Sequence, residues 1–516
     1  MRRAFLLLFS GAALACAGAP SGPTKPRPEA KASVTTTPPP NADGARAWTY
    51  EVAASPGGAE LSIAATFAPG SSAEMSVADD AEPFVHDVAI ANGSEWKPLA
   101  ATGSSWLAPE CRDHGCRLRY GFSLRDAAVA LGDVSSARRH GPAIEAPPST
   151  WLLRPIEPAP KTTLRFHVTV APGDAFVTGV FPVPGTSDTY EAPATKEFQL
   201  AYAAFGLWRV STVENGRVRI AISPGAFEAG DETITAWVAT SARAVTHYYG
   251  QPPVPHLLVM VNPGNRDGVG FGTTMGGGGA AISIAVGRGV DAKQLREDWV
   301  LVHEMVHTAV PDMLGPQHWL EEGLATYVEP LVRSRAGLVS AEELWTDWMR
   351  NMPKGNPQAG DRGLDNTPTW GRTYWGGALF CLVADVGIRE RTHNAKSLDD
   401  ALREILHSGG SIAASWDMAR VTSVGDGATQ VPVLGELYAK MASSPSPVDL
   451  PALWKRLGVS LVGGRVSFDD RAPLADVRRA MTSTPLRESA QRGMSTGFPQ
   501  TGGLELGSKA PRGRGP

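Results

Sequence analysis

Two histidines in this 516-residue chain stand four positions apart, and a glutamate directly follows the first: His303, Glu304 and His307. Apolar residues recur at three- and four-residue steps around them and predict a helix from Asp291 to about Val310. The residues of this apolar stripe are Leu295, Trp299, Val302, Val306 and Ala309. A helix turns every 3.6 residues, so both imidazoles project from one face at a spacing that suits two positions of a tetrahedral zinc ion. Glu304 can then reach a metal-bound water without being a ligand, which is the HExxH arrangement. Two ordinary, partly buried helix histidines are the alternative interpretation.

A second predicted helix follows after a short loop that contains Pro311, Gly315 and Pro316. Its apolar positions are Leu320, Leu324, Tyr327 and Val328. It carries two adjacent carboxylates, Glu321 and Glu322. Since consecutive helical side chains point about 100° apart, one of the two can face the metal. Two histidines and one carboxylate leave a fourth zinc position for water, as a catalytic site requires. His318 is expected to be a cap or surface residue.

Three segments of the chain resemble a known group of enzymes. Trp319–Ala325 reads Trp-Leu-Glu-Glu-Gly-Leu-Ala and is similar to the W-L-x-E-G-x-A segment of the gluzincin metallopeptidases. Thr373–Leu379, with Tyr374, and the later Asp385–Thr392 and Lys396–Asp400 look like segments of the glycyl aminopeptidases, peptidase family M61.

The resemblance implies a zinc peptidase with a thermolysin-like catalytic domain that acts on a peptide or protein substrate. It implies that His303, His307 and Glu322 hold one Zn²⁺ ion, that Glu304 is the general base, and that Tyr374 stabilises the oxyanion. A packing role at a helix start is the alternative for Tyr374.

The site of cleavage within a substrate is left open by the sequence. The activity is expected to be aminopeptidase-like, but residues 275–280, the region that corresponds to the amine-binding strand entry of such enzymes, contain no acid. Residues 262–279 are expected to form a glycine-rich loop. Ala281–Val286 is expected to be an edge strand along which the substrate adds. A non-catalytic, zinc-containing envelope lipoprotein that acts as a binding or scaffold module is the alternative function.

The start of the chain has the pattern of an export signal. Met1-Arg2-Arg3 precedes an apolar run of about a dozen residues, too short to span a bilayer, and then Cys16. This predicts a signal peptide over residues 1–15 and a lipid anchor on Cys16, because the motif resembles a bacterial lipobox. The protein is therefore expected on a membrane of the bacterial cell envelope. Simple secretion, with cleavage after Ala15 or Ala19, is the alternative.

The rest of the chain predicts an α+β fold with several domains. After a disordered linker (16–46), alternating apolar and polar residues predict an antiparallel β domain (47–190). The catalytic domain, with a mixed sheet and helices, is expected over 191–335 and a mainly helical domain over 336–486. Residues 487–516 are expected to form a disordered tail.

Composition and cysteine usage narrow the functions further. With 48 basic and 52 acidic residues, the net charge of −4 gives no indication of nucleic-acid binding. In an exported protein, Cys111 and Cys116 predict a local disulfide. A metal site with His114 is the alternative for these two thiols. Cys381 is expected to be a buried, unreactive side chain.

Overall fold

The computed structural model describes residues 47–483 except 187, 197 and 198. The predicted signal peptide, the linker with Cys16 and the predicted tail lie outside the described residues, so these assignments stay predictions.

The N-terminal region is built from β-sheets with a few short helices. Its strands are β1 (Ala47–Ala54), β2 (Leu61–Phe67), β3 (Glu74–Ser76), β4 (Val85–Asn92), β5 (Glu95–Pro98), β6 (Ala101–Thr102), β7 (Ser105–Leu107), β8 (Cys116–Phe122), β9 (Arg138–His140), β10 (Ala143–Glu145), β11 (Arg154–Pro155), β12 (Thr163–Thr169), β13 (Ala175–Thr178), β14 (Thr189–Pro193) and β15 (Ala203–Gly206). Its short helices are α1 (Pro109–Asp113), α2 (Leu124–Ala130) and α3 (Pro148–Trp151). The sheets have the strand orders β14-β12-β1-β2-β8-β4-β5, β13-β15-β10-β9 and β11-β3-β7-β6.

Alternation of apolar and polar residues explains these strands. In β2, Leu61, Ile63, Ala65 and Phe67 are buried and the residues between them are exposed. The strand pairs described here are antiparallel apart from β1 with β12. The expected β domain is therefore present. It extends past residue 190, because β15 pairs with β10 and β13.

Cys111 in α1 and Cys116 at the start of β8 are joined by a disulfide. The bond leaves neither sulfur as a free thiol for a metal site with His114. Cys381 is a buried free cysteine, as the sequence predicts.

The second region opens with a mixed sheet of order β16-β17-β18-β20-β19. Its elements are β16 (Arg209–Val213), β17 (Val218–Ile222), α4 (Gly230–Tyr249), β18 (Leu257–Gly264), β19 (Val269–Met275) and β20 (Ala281–Gly287). β17, β18 and β20 run parallel, while β16 and β19 pair antiparallel at the two edges.

The sequence-based assignment of the edge strand is wrong. Ala281–Val286 lies inside the sheet, between β18 and β19, and the edge is β19, within residues expected to be a loop. Glycines at 270 and 272 lower the strand propensity of β19 and hide it from a sequence pattern. Gly272 is a site of close packing, since a Cβ there would lie 2.6 Å from Cγ of Glu304.

Helices make up most of the remaining chain. They are α5 (Ala292–Glu297), α6 (Val300–His307), α7 (His318–Arg335), α8 (Ala341–Asn351), α9 (Gly377–Arg391), α10 (Leu398–His407), α11 (Met418–Thr429), α12 (Val433–Met441), α13 (Leu450–Leu457) and α14 (Ala475–Thr482). Short strands β21 (Asp312–Met313), β22 (Ser415–Trp416), β23 (Val459–Val462) and β24 (Arg465–Phe468) lie between them. A single hydrophobic core runs from Val218 to Met481 and crosses the boundary expected at residue 335. Among the described residues, no helix is both long enough and apolar enough to cross a membrane.

Buried ionic contacts fix the helices behind the sheet. Asp385 of α9 accepts hydrogen bonds from the hydroxyl of Tyr327 (2.9 Å), from Nε of Arg389 (3.0 Å) and from the backbone N–H of Leu398 (2.9 Å). This carboxylate therefore ties together α7, α9 and α10. A buried charge is tolerated only when it is paired in this way.

A second buried carboxylate continues this network. Asp399 of α10 accepts hydrogen bonds from the hydroxyl of Tyr248 (2.7 Å) in α4 and from Arg335 (2.6 Å) at the end of α7. Asp385 and Asp399 both belong to segments that resemble the glycyl aminopeptidases. In this structure those two carboxylates are occupied by contacts that hold the helices together.

The buried carboxyl of Glu329 in α7 is expected to make the free energy of unfolding depend on pH. Burial raises the pKa of Glu329 to about 7, against the lowering effect of Arg333 at 2.9 Å, and Asp298 and Asp347 raise it further. The folded state thus keeps a proton that the unfolded chain releases near its ordinary pKa of 4.5, so the free energy of unfolding falls as the pH rises from about 4.5 through 7.

Glu329→Gln, which is neutral at every pH, should remove this part of the pH dependence. The stability of the variant relative to the natural chain should therefore rise by about 2 kcal/mol between pH 5 and pH 8. Urea unfolding at both pH values measures the difference. Parallel stability curves for the two proteins would show that Glu329 is ionised throughout.

Candidate metal centre

The helix that carries the two histidines begins with a break. The sequence predicts one helix from Asp291, but the chain is extended at Asp298 and a new helix, α6, begins at Val300. The carboxylate of Asp298 accepts hydrogen bonds from the backbone N–H groups of Val300 (2.9 Å) and Leu301 (3.0 Å). It thereby satisfies donors that a helix start leaves unpaired. Trp299, expected in the apolar stripe, is exposed because of this break.

Three side chains from α6 and α7 converge at one point. Nε2 of His303 lies 3.4 Å from Oε2 of Glu322, and Nε2 of His307 lies 3.5 Å from the same oxygen. One ligand atom from each residue lies within 4.8 Å of the others, and together they form the candidate metal-binding group among the described residues.

This arrangement fits a zinc ion. Ligands at 2.0–2.1 Å from a tetrahedral zinc are separated from one another by roughly 3.4 Å. The two measured nitrogen-to-oxygen separations match that value, and two imidazoles with one carboxylate are a zinc donor set. His303, His307 and Glu322, the ligands implied by the family resemblance, are therefore brought together by the fold.

The charge state of Glu322 suits a metal ligand. Burial opposes ionisation of this carboxylate, but hydrogen bonds and charge from His303 and His307 outweigh it and hold its pKa well below the ordinary value. Glu322 is therefore an anion wherever the protein is folded near neutral pH.

Glu304 is held against the edge strand. It is buried, and its Oε2 accepts a 2.6 Å hydrogen bond from the hydroxyl of Thr274 in β19. Gly272, two residues earlier in the same strand, leaves the space that the Glu304 side chain occupies. The carboxylate next to the metal ligands thus has one oxygen fixed by a hydroxyl donor.

Tyr374 belongs to the same centre and comes from a later part of the chain. It lies in a π-helical turn, Gly371–Gly376, directly before α9. Burial raises the pKa of its hydroxyl well above the ordinary value, and the nearby carboxylates of Glu322 and Glu304 raise it further. The hydroxyl keeps its proton at neutral pH. π-Helical turns are frequent at functional sites.

A second layer of contacts orients the third ligand. Glu321 accepts a hydrogen bond from the backbone N–H of Met313 (2.9 Å) and contacts Nδ1 of His318 (2.8 Å). Nε2 of His318 lies 3.5 Å from the other oxygen of Glu322. His318 is the exposed first residue of α7, as expected, but it also contacts the ligand carboxylate.

Two glycines allow α7 and α9 to touch. A Cβ on Gly323 would lie 2.3 Å from Cα of Gly377, and a Cβ on Gly377 would lie 2.0 Å from the carbonyl oxygen of Trp319. These backbones meet one residue from Glu322 and three residues from Tyr374. The close approach is what allows a ligand and the tyrosine to share one site.

Four residues in or beside the site are not among the site residues predicted from the sequence: Thr274, Gly272, Gly377 and Tyr202. The hydroxyl of Tyr202 donates to Thr273 (3.1 Å), so the N-terminal region contacts β19 beside the metal ligands. Gly323 and Gly377 lie in two of the segments that resemble the peptidases, and this resemblance was the sequence signal that could have identified them. Nothing in the sequence pattern around Thr274 connects it with Glu304.

Among solved structures, the chain shares its overall fold with an aminopeptidase N family protein from Idiomarina loihiensis. The TM-score is 0.59 at 14% identity, over 80% of this chain and 78% of that chain. The comparison with an M1 zinc metallopeptidase from Deinococcus radiodurans gives a TM-score of 0.46 at 15% identity, over 78% of this chain and 95% of that chain. No protein-family model matches the chain, and no curated protein matches it in sequence. The expected multidomain α+β fold is confirmed, while the assignment to family M61 stays a prediction.

The contact between α7 and α9 can be tested by adding one methyl group. Gly323→Ala would place a Cβ against the backbone of Gly377, so we expect the free energy of unfolding to fall by about 2 kcal/mol. Zinc affinity should fall with it, because Glu322 is the adjacent residue. Urea unfolding and zinc titration measure the two effects.

Gly427→Ala is the matched control, since Gly427 lies in α11 with open space where the new Cβ would be. Replacing this helical glycine should stabilise the protein by up to about 1 kcal/mol. Equal stability of the Gly323→Ala variant and the natural chain would contradict the assigned contact.

Proposed function

We propose that this chain is a zinc-dependent peptidase. The proposal rests chiefly on the convergence of His303, His307 and Glu322, with Glu304 and Tyr374 beside them. The fold shared with an aminopeptidase N family protein supports it. A purely structural zinc usually has four protein ligands and needs no neighbouring base, so this ligand set favours catalysis over the non-catalytic alternative.

The ligand set and its neighbours account for hydrolysis of a peptide bond. A zinc ion held by the three ligands would supply Lewis acidity that lowers the pKa of a water to about 7. Glu304 takes the proton of the attacking water and returns it to the leaving amine. The hydroxyl of Thr274 keeps the Glu304 carboxylate in position, and Tyr374, protonated at neutral pH, donates to the developing oxyanion.

The free edge of β19 is the proposed place for the substrate backbone. An extended peptide can add to such an edge through main-chain hydrogen bonds. β19 contains no acidic residue. Glu145, the fully buried carboxylate at the end of β10, is already paired with Arg138 (2.6 Å) and His140 (3.0 Å). Neither β19 nor Glu145 therefore offers a free carboxylate that could bind the amino group of a substrate. Whether the enzyme needs a free N-terminus must be tested by comparing acetylated with free peptides.

The cellular setting is proposed on the sequence alone. We propose that the chain is exported and anchored through a lipid on Cys16, which would place the peptidase on a membrane of the cell envelope. The assignment to family M61 is proposed on the same footing, from the three segments quoted above.

Glu304→Gln separates metal binding from turnover. The variant should bind one zinc ion as tightly as the natural chain and lose at least about 1,000-fold in kcat on fluorogenic peptides, because the amide cannot accept the proton. Metal analysis and peptide assays measure both effects. His303→Ala is the complementary variant and should lose the zinc itself.

The same assay should compare cleavage of peptides that have free N-termini with cleavage of peptides that have acetylated N-termini. Cleavage that disappears on acetylation indicates an aminopeptidase, and cleavage that persists indicates internal hydrolysis. Zinc binding by the natural chain without turnover on any peptide would favour the non-catalytic lipoprotein instead.

Thr274→Val tests the hydrogen bond that positions Glu304. Loss of one hydrogen bond to a charged group is worth about 1.5 kcal/mol, so kcat should fall about tenfold while KM and zinc content stay the same. Thr274→Ser keeps the hydroxyl and should restore kcat. Thr273→Val is the matched control, because its hydroxyl contacts Tyr202 and not Glu304. An equal loss in both valine variants would indicate a general disturbance of β19.

A further inference from the structure

Three exposed aromatic side chains surround the candidate metal centre. Among the described residues, those aromatic side chains that are largely exposed are Phe271 (78%), Trp299 (52%) and Trp370 (61%). They come from three separate parts of the chain, and each is next to a residue of the site. Exposed apolar side chains that surround one site are typical of a binding surface.

Trp299 lies against a metal ligand. The centres of its ring and of the His303 imidazole are 5.7 Å apart, and the rings meet edge to face at 89°. The break at Asp298 turns this indole out of the helical stripe and into solvent. About half of the side chain therefore remains exposed beside a candidate metal ligand.

Phe271 is turned outwards by an irregularity of the edge strand. Gly270 and Phe271 of β19 together oppose the single residue Ala285 of β20, because the pairing shifts between Val269 and Gly272. Such bulges redirect a side chain and are frequent beside active sites. Phe271 thus stands at the free edge of the sheet, one residue from the glycine that packs on Glu304.

Trp370 stands beside the tyrosine of the site. Its ring centre is 5.9 Å from that of Tyr374. The ammonium group of Lys354 lies 5.7 Å from the Trp370 ring centre and 5.9 Å from that of Trp375. Cation–π contacts of this kind hold an exposed ring in a defined orientation.

We propose that Phe271, Trp299 and Trp370 form an aromatic rim that binds large apolar side chains of an extended peptide substrate. The inference rests on the proposed peptidase function and names its substrate class. A peptide added along β19 projects successive side chains to opposite sides, and the rim supplies aromatic surface both at the sheet edge and around the metal ligands. Substrates with aromatic or large aliphatic residues next to the cleaved bond are therefore preferred over those with small residues.

Matched fluorogenic peptides that carry phenylalanine or alanine beside the cleaved bond test the preference. The natural chain should show a kcat/KM at least ten times higher for the phenylalanine peptide. Phe271→Ala and Trp370→Ala should each reduce this ratio several-fold. Val129→Ala is the matched control: Val129 is 64% exposed but lies in α2 of the N-terminal region, and its loss should leave the ratio unchanged.

Binding provides a second measurement that does not depend on turnover. In the zinc-loaded Glu304→Gln protein, calorimetric titration should show tighter binding of the phenylalanine peptide, and adding Phe271→Ala or Trp370→Ala should weaken it about tenfold. Turnover without any preference in the natural chain, or binding that the rim variants leave unchanged, would overturn the aromatic rim while leaving the peptidase intact.

Absence of turnover on every peptide would overturn the peptidase function. The calorimetric comparison would then still show whether the aromatic rim binds large apolar side chains. Sedimentation of the natural chain and of the rim variants tests whether a second copy of this chain binds at the rim instead of a peptide. A dimer that Phe271→Ala or Trp370→Ala disrupts would identify the rim as a self-association surface and overturn the proposal.

Discussion

The site depends on two nitrogens and one carboxylate oxygen being held about as far apart as the ligands of one zinc ion. His303 and His307 are fixed relative to each other by a single helix, but Glu322 comes from the next helix. The carboxylate is desolvated there, and the paired imidazoles keep it ionised. Any change in the position of α7 relative to α6 would therefore separate an anion from its partners at a considerable cost in free energy.

The surrounding helices restrict that movement. Gly323 and Gly377 allow α7 to lie directly against α9, and Asp385 ties both helices to α10 through Tyr327 and the backbone of Leu398. The π-helical turn before α9 then brings Tyr374 to the same centre. Segments that resemble a peptidase family thus contribute both side chains of the candidate metal centre and the buried ionic contacts that hold them.

The edge strand β19 connects the two regions of the protein at the site. Thr274 and Gly272 accommodate Glu304, while the neighbouring Thr273 accepts a hydrogen bond from Tyr202 of the N-terminal region. Phe271 is turned out of the strand by a shift in pairing. A single strand therefore holds the carboxylate of Glu304, contacts the N-terminal region and carries both a free edge and an exposed ring beside the candidate metal centre.

Local sequence determined the helical spacing of His303 and His307, the second helix from His318 and the alternating strands of the N-terminal region. Each follows from a repeat of two or of 3.6 residues, which a short segment specifies by itself. Only the tertiary structure revealed the roles of Gly272 and Thr274, because their partner Glu304 lies about 30 residues away. The true edge strand was hidden for a related reason: its glycines weaken the local strand signal, and only the packing of Gly272 against Glu304 of α6 explains why a glycine stands at that position.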